Sequence, residues 1–172
     1  MNRDAFAAAS AFAVVAVFSA AVVAQDMRPD RAIKYRQGIM QAQGWQMGVL
    51  SRMAKGEIPY NKDQAVRAAT FVNELSKMSW EGFVPVSDSG NTKARPDVWK
   101  DKAKFDRLAQ EMQSETPKLV AAANSGDVAQ LRAAVGAVGK ACNNCHDDFQ
   151  KQWKTFLVGV AAAAVMLVIP AY

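Results

Sequence analysis

The chain has 172 residues, 51% of them hydrophobic, which is enough for one globular domain with targeting material at its ends. Its formal charge of +5 arises from 21 Lys and Arg against 16 Asp and Glu. These cations are scattered through helical pattern and form no basic stripe, which argues against nucleic acid as a partner, and no cluster of acids, bases and nucleophiles points to catalysis.

An apolar run from Ala5 to Ala24 follows Arg3 and Asp4 and ends in Val22-Val23-Ala24 before Gln25. It reads as a secretory signal, residues 1–24, cleaved after Ala24. Asp4 nearly cancels the one Arg, so an uncleaved N-terminal anchor is the alternative.

Residues 25–154 show helical periodicity almost throughout and predict an all-α domain. The first helix starts after Asp30 as N-cap and runs to about Lys55, with Ile33, Met40, Met47 and Ala54 recurring at heptad spacing beside Leu50. Gly56 closes it. A link, EIPYN, leads to a second helix near residues 62–79, marked by Ala65, Ala69, Val72 and Leu75. Phe83 to Thr92 is rich in turn formers and predicts the one long loop. Pro96 fits the first turn of a third helix that carries Trp99, Phe105, Leu108 and Met112 and reaches Asn124, with Pro117 expected to kink or interrupt it. Asp127 can cap a fourth helix whose stripe is Leu131, Val135, Val138, Cys142, Cys145, Phe149 and Trp153. Short links between helices one and two and between three and four imply antiparallel neighbours, so the expected fold is an up-down-up-down four-helix bundle.

From Thr155 to Tyr172 no residue is charged. As a helix this run would rise about 27 Å, slightly short of a hydrocarbon core of about 30 Å. Residues 155–172 therefore read as a C-terminal membrane anchor, with Trp153 suited to the interface, or as a buried extension or partner-packing segment. A fourth helix continuing into this tail would form one rod about 60 Å long.

The sequence Cys142-Asn143-Asn144-Cys145-His146 matches the C-x-x-C-H pattern of c-type haem attachment. Residues three apart share a helix face, so both thiols can reach the two vinyl groups of one porphyrin, and His146 can turn to the iron from the same side. Three other readings compete. A dithiol redox pair belongs in a βαβ setting, a structural zinc site needs a fourth ligand, and a disulfide between residues one turn apart leaves His146 unexplained.

The chain has one His, so a second axial ligand from the same subunit must be another residue, and Met is the obvious type. Met40 lies on the core-facing stripe of helix one; ordinary core packing is the competing reading. Arg36 lies one turn earlier on that stripe, where a charge needs an anionic partner such as a haem propionate, unless it snorkels at the rim. Trp80, Phe83, Trp99 and Phe149 read as packing aromatics, some of them lining a haem pocket.

Five segments carry a resemblance: KYRQGIM at residues 34–40, KGEIPY at 55–60, SWEGF at 79–83, ARPDVW at 94–99 and LRAAVGAVGKACNNCHDDF at 131–149. With the haem motif near the C-terminus, the chain resembles the class II cytochromes c, the cytochrome c′ and cytochrome c-556 family. The resemblance implies a four-helix bundle with one covalent haem c in the periplasm of a Gram-negative bacterium, often a homodimer packed through its first two helices. It implies that Met40 stands at the distal position and that Arg36 and Gln37 stand near the haem and its propionates. Two departures stand out: the position four after the axial His is Gln150, with the positive charge at Lys151, and the apolar tail is foreign to the family pattern.

Two functions follow from the resemblance. In the first, Met40 completes six-coordination and the protein passes electrons between redox partner proteins. In the second, a five-coordinate iron binds NO or CO for sensing or detoxification.

Overall fold

The structure, a computed structural model, describes residues 28–151. The expected signal and the apolar tail, with Trp153, lie outside the described residues. Five α-helices are present: α1 (Pro29–Lys55), α2 (Lys62–Met78), the single turn α3 (Asp97–Lys100), α4 (Lys102–Ser125) and α5 (Val128–Phe149). Two 3₁₀ turns, Ser79–Gly82 and Pro85–Ser87, lie between α2 and α3. The four long helices pack in a ring, α1 on α2, α2 on α4, α4 on α5 and α5 on α1, giving the expected four-helix bundle.

Local chemistry sets most of the helix ends. The Asn61 side chain accepts the Gln64 N–H at 2.9 Å, and Asp127 accepts the Ala129 and Gln130 N–H groups at 2.7 and 3.3 Å. Gly56, at φ 76°, ends α1 by donating back to Arg52 and Met53, and Gly126 at φ 79° ends α4.

Four boundaries differ from expectation. Helix α1 begins at Pro29, whose fixed φ suits the first turn, and Asp30 sits inside that turn as a negative charge at the positive end of the helix. The third helix is split: Asp101, at φ −115° and ψ 59°, ends α3 and caps α4 by accepting the Lys104 N–H at 3.2 Å. Pro117 does not interrupt α4. The Gln113 carbonyl that loses its helical donor there has the Thr116 hydroxyl 3.2 Å away as a replacement. Finally, α5 stops at Phe149 and Gln150 is extended at φ −109° and ψ 137°, so no single rod runs from the bundle into the tail. A tertiary pairing fixes this end: the Arg95 N–H donates to the Phe149 carbonyl at 2.8 Å, and the Lys151 N–H to the Lys93 carbonyl at 2.7 Å.

Two apolar clusters fill the bundle. The larger holds Leu50, Met53, Val72, Leu119, Leu131 and Val138, each contributing about 1.5–3 kcal/mol by burial. The other is Val98, Phe105, Leu108 and Phe149, against which Trp80, Phe83 and Trp99 pack. Cys142 packs on the first cluster and Cys145 on the second, so the C-x-x-C-H motif lies where the two meet.

Candidate functional site

Cys142, Cys145 and His146 occupy the last two turns of α5 and are each half-buried, the two cysteines as free thiols. All three line one cavity of about 820 Å³ between α5 and α1. That lies within the range of about 300–1,000 Å³ typical of sites for cofactors and small molecules. Burial raises the Cys142 thiol above its ordinary range and pushes Cys145 up to about 11, with the Cys142 and Asp148 charges adding to the second shift. Burial also lowers the His146 imidazole, against a smaller opposing effect of Asp147. At neutral pH the site therefore presents two protonated thiols and a neutral imidazole.

Helix α1 supplies the facing wall. Arg36, Gln37, Met40 and Gln43 all line the cavity, so the sequence-selected residues of α1 and α5 come together. Arg36 is only 3% exposed. Its Nη1 donates to the Gly82 carbonyl at 2.7 Å and the Ser87 hydroxyl at 2.6 Å, and its Nη2 to the Ser87 carbonyl at 2.9 Å and the Thr92 hydroxyl at 2.7 Å. The guanidinium also lies over the rings of Phe83 and Trp99, 4.6 and 5.7 Å from their centroids. These partners are neutral, so the positive charge stays unbalanced by them, and desolvation lowers the arginine's pKa. Gln37 Nε2 donates to the Asn91 carbonyl at 3.0 Å. Together these two residues hold the loop after α2 against the end of the cavity.

Trp80, Phe83 and Phe149 also line the cavity, joined edge to face through Phe105. Trp99 lies behind them, its ring tilted at 49° to Phe83, and donates its indole N–H to the Val84 carbonyl at 3.2 Å. Lys151 reaches the Thr92 carbonyl with its ammonium at 3.2 Å.

The residue that sequence reasoning missed is Gln43. It is 6% exposed, its Oε1 accepts the Ser79 hydroxyl at 3.0 Å, and its Nε2 is buried with no hydrogen-bond partner. The available signal was a second polar residue, one turn after Met40, on the stripe that already carries Arg36. A large cavity with two thiols, an imidazole, apolar rings and an orphaned amide in its walls suits a planar apolar group that carries polar ligands. Zinc does not fit: among the described residues no three His, Cys, Asp or Glu are grouped to hold a metal ion.

Comparison with known proteins agrees. The family model described as "Cytochrome C'" matches residues 31–150. The cytochrome c′ of Rubrivivax gelatinosus is 38% identical over 129 residues, covering 74% of this chain and 100% of that one. Its crystal structure superposes with a TM-score of 0.69 at 39% identity, covering 72% of this chain and 97% of that one. A nitric oxide complex of a point mutant of cytochrome c prime from Alcaligenes xylosoxidans also gives 0.69 at 37% identity, over 73% of this chain and 98% of that one. With its bundle, its C-x-x-C-H motif on the last helix and its match over nearly the whole described region, the chain belongs to the cytochrome c′ family, whose members carry a covalently attached haem c.

Proposed function

We propose that this chain is a periplasmic mono-haem cytochrome that binds a small diatomic, NO or CO, at a haem iron held by His146. The carrying observation is that Cys142, Cys145, His146 and Met40 all face one cavity of about 820 Å³. Cys142 and Cys145 would hold the porphyrin through two thioethers, each S–H adding across a vinyl group so that the sulfur binds one carbon and the proton its neighbour. His146 would ligate the iron through its imidazole. A haem held here would supply a ferric–ferrous couple, and Met40 lines the cavity it would occupy. Arg36 offers its unbalanced charge to the propionates, and Gln37 steadies the loop beside it. The nitric oxide complex of a similar cytochrome supports the choice of ligand.

A second reading rests on Met40 itself. Its thioether lines the same cavity as His146 and is a suitable sixth ligand, which would make the protein an electron carrier between redox partner proteins. Absorption spectra of the purified protein, oxidised and reduced, with and without CO and NO, separate the two. A high-spin spectrum shifted by both gases supports gas binding. A low-spin spectrum indifferent to CO, which becomes high-spin on Met40→Ala, supports the carrier.

Two assembly features complete the proposal. The protein forms a homodimer through α1 and α2, where Trp45 and Phe71 are exposed apolar side chains. The uncharged run 155–172 attaches the domain to the inner membrane, so the protein sediments with membranes and is released by detergent and not by high salt; intact protein in the soluble periplasmic fraction would refute this.

A further inference from the structure

Among the described residues, Gln43 Nε2 is the buried side-chain donor left without a hydrogen-bond partner. Such groups are costly and rare, and one that borders a ligand cavity points to the ligand as its partner. The amide is held by Ser79, fully buried, whose hydroxyl donates to Gln43 Oε1 at 3.0 Å and is shared with the Leu75 carbonyl at 3.2 Å. Gln43 lies one turn beyond Met40 on the same face of α1, and two turns beyond Arg36.

This placement selects the acceptor. The cationic and amide groups suited to propionates, Arg36 and Gln37, gather at the loop end of the cavity. Gln43 lies two turns further along α1 than Arg36, between Met40 and Met47, both of which line the cavity. The face of a porphyrin whose four nitrogens hold iron offers no strong hydrogen-bond acceptor. What remains is a molecule standing on that face.

We propose that Gln43 donates a hydrogen bond from Nε2 to the outer atom of the diatomic bound at the haem iron, and that Ser79 is the positioning residue that aims it. This assignment rests on the gas-binding reading above. Nitric oxide on ferrous iron places more negative charge on its outer atom than carbon monoxide does, so the amide discriminates in favour of NO. A carboxamide does not titrate, so the preference holds across the neutral pH range.

The test compares the reduced CO and NO complexes of the haem-loaded wild type with those of Gln43→Leu and Gln43→Met, two near volume-conserving changes that remove the orphaned amide. Infrared spectra give the C–O stretch, and ligand replacement gives the dissociation rates. In both variants the stretch moves to higher frequency, because a lost donor weakens back-donation from iron. NO leaves roughly three- to tenfold faster, the loss of one hydrogen bond, and CO changes less. Ser79→Ala moves the stretch the same way by a smaller amount. Unchanged stretch and rates in a wild type and variants that all bind CO would overturn the assignment and leave gas binding standing. A wild-type spectrum indifferent to CO would overturn both.

Discussion

Gly82 rests directly on the backbone of α1 at Arg36: a Cβ added to it would lie 2.8 Å from Arg36 Cβ and 2.8 Å from the Ala32 carbonyl. The same glycine offers its own carbonyl to Arg36 Nη1 at 2.7 Å. Close approach and hydrogen bond are one device, because only a residue without a side chain lets the turn after α2 come near enough for the buried guanidinium to reach it. Gly82→Ala must push the 3₁₀ turn away from α1. The expected cost is about 1–3 kcal/mol, as for other overpacked sites, read as a lower denaturation midpoint. An unchanged midpoint would show that the turn shifts freely and that Arg36 is held by Ser87 and Thr92 alone.

The long helices were legible because each carries a stripe of helical period, with local stops or caps such as Gly56 and Asp127. The C-x-x-C-H pattern was visible for a similar reason: Cys142, Cys145 and His146 fall within two helical turns of one another. What escaped was non-local. The end of α5 depends on pairing with Lys93 and Arg95 across the bundle, which no pattern near Phe149 announces. Arg36 was marked as a buried charge in need of partners. Its bonds, however, go to Gly82, Ser87 and Thr92 in a segment without periodicity, up to 56 positions away. Gln43 was hidden in the same way, since Ser79, which orients it, lies 36 positions on.

Trp45 is 75% exposed and Phe71 48%, and the two lie at similar distances on either side of the turn between α1 and α2. In the proposed homodimer these two exposed rings, one on each helix of the α1–α2 hairpin, would lie in the interface. Trp45→Asp places a charge in that proposed interface while leaving the core untouched. The expected outcome is a monomer in sedimentation velocity at concentrations where the wild type is a dimer, with the visible spectrum unaltered. A variant that stays dimeric would move the interface off this face.

Cys145 lies between an aromatic cluster and the haem cavity, and its thiol is pushed up to about 11 by burial first, then by the Cys142 and Asp148 charges, from an ordinary value of 9.0. A folded pKa above the unfolded one means that the fold favours the neutral thiol. The corresponding stabilisation is complete below 9.0 and is lost as the pH climbs toward about 11. Only the thiolate reacts with iodoacetamide. In protein produced without haem, Cys145 should therefore be alkylated far more slowly than in the urea-unfolded chain at neutral pH, and should quicken between 9.0 and about 11, followed by mass spectrometry of its peptide. Equal rates in folded and unfolded chains at neutral pH would mean that the site is open to water before haem enters. In haem-loaded protein neither Cys142 nor Cys145 should react at any pH, because both sulfurs are already committed to thioethers. Any alkylation there would count against the covalent attachment.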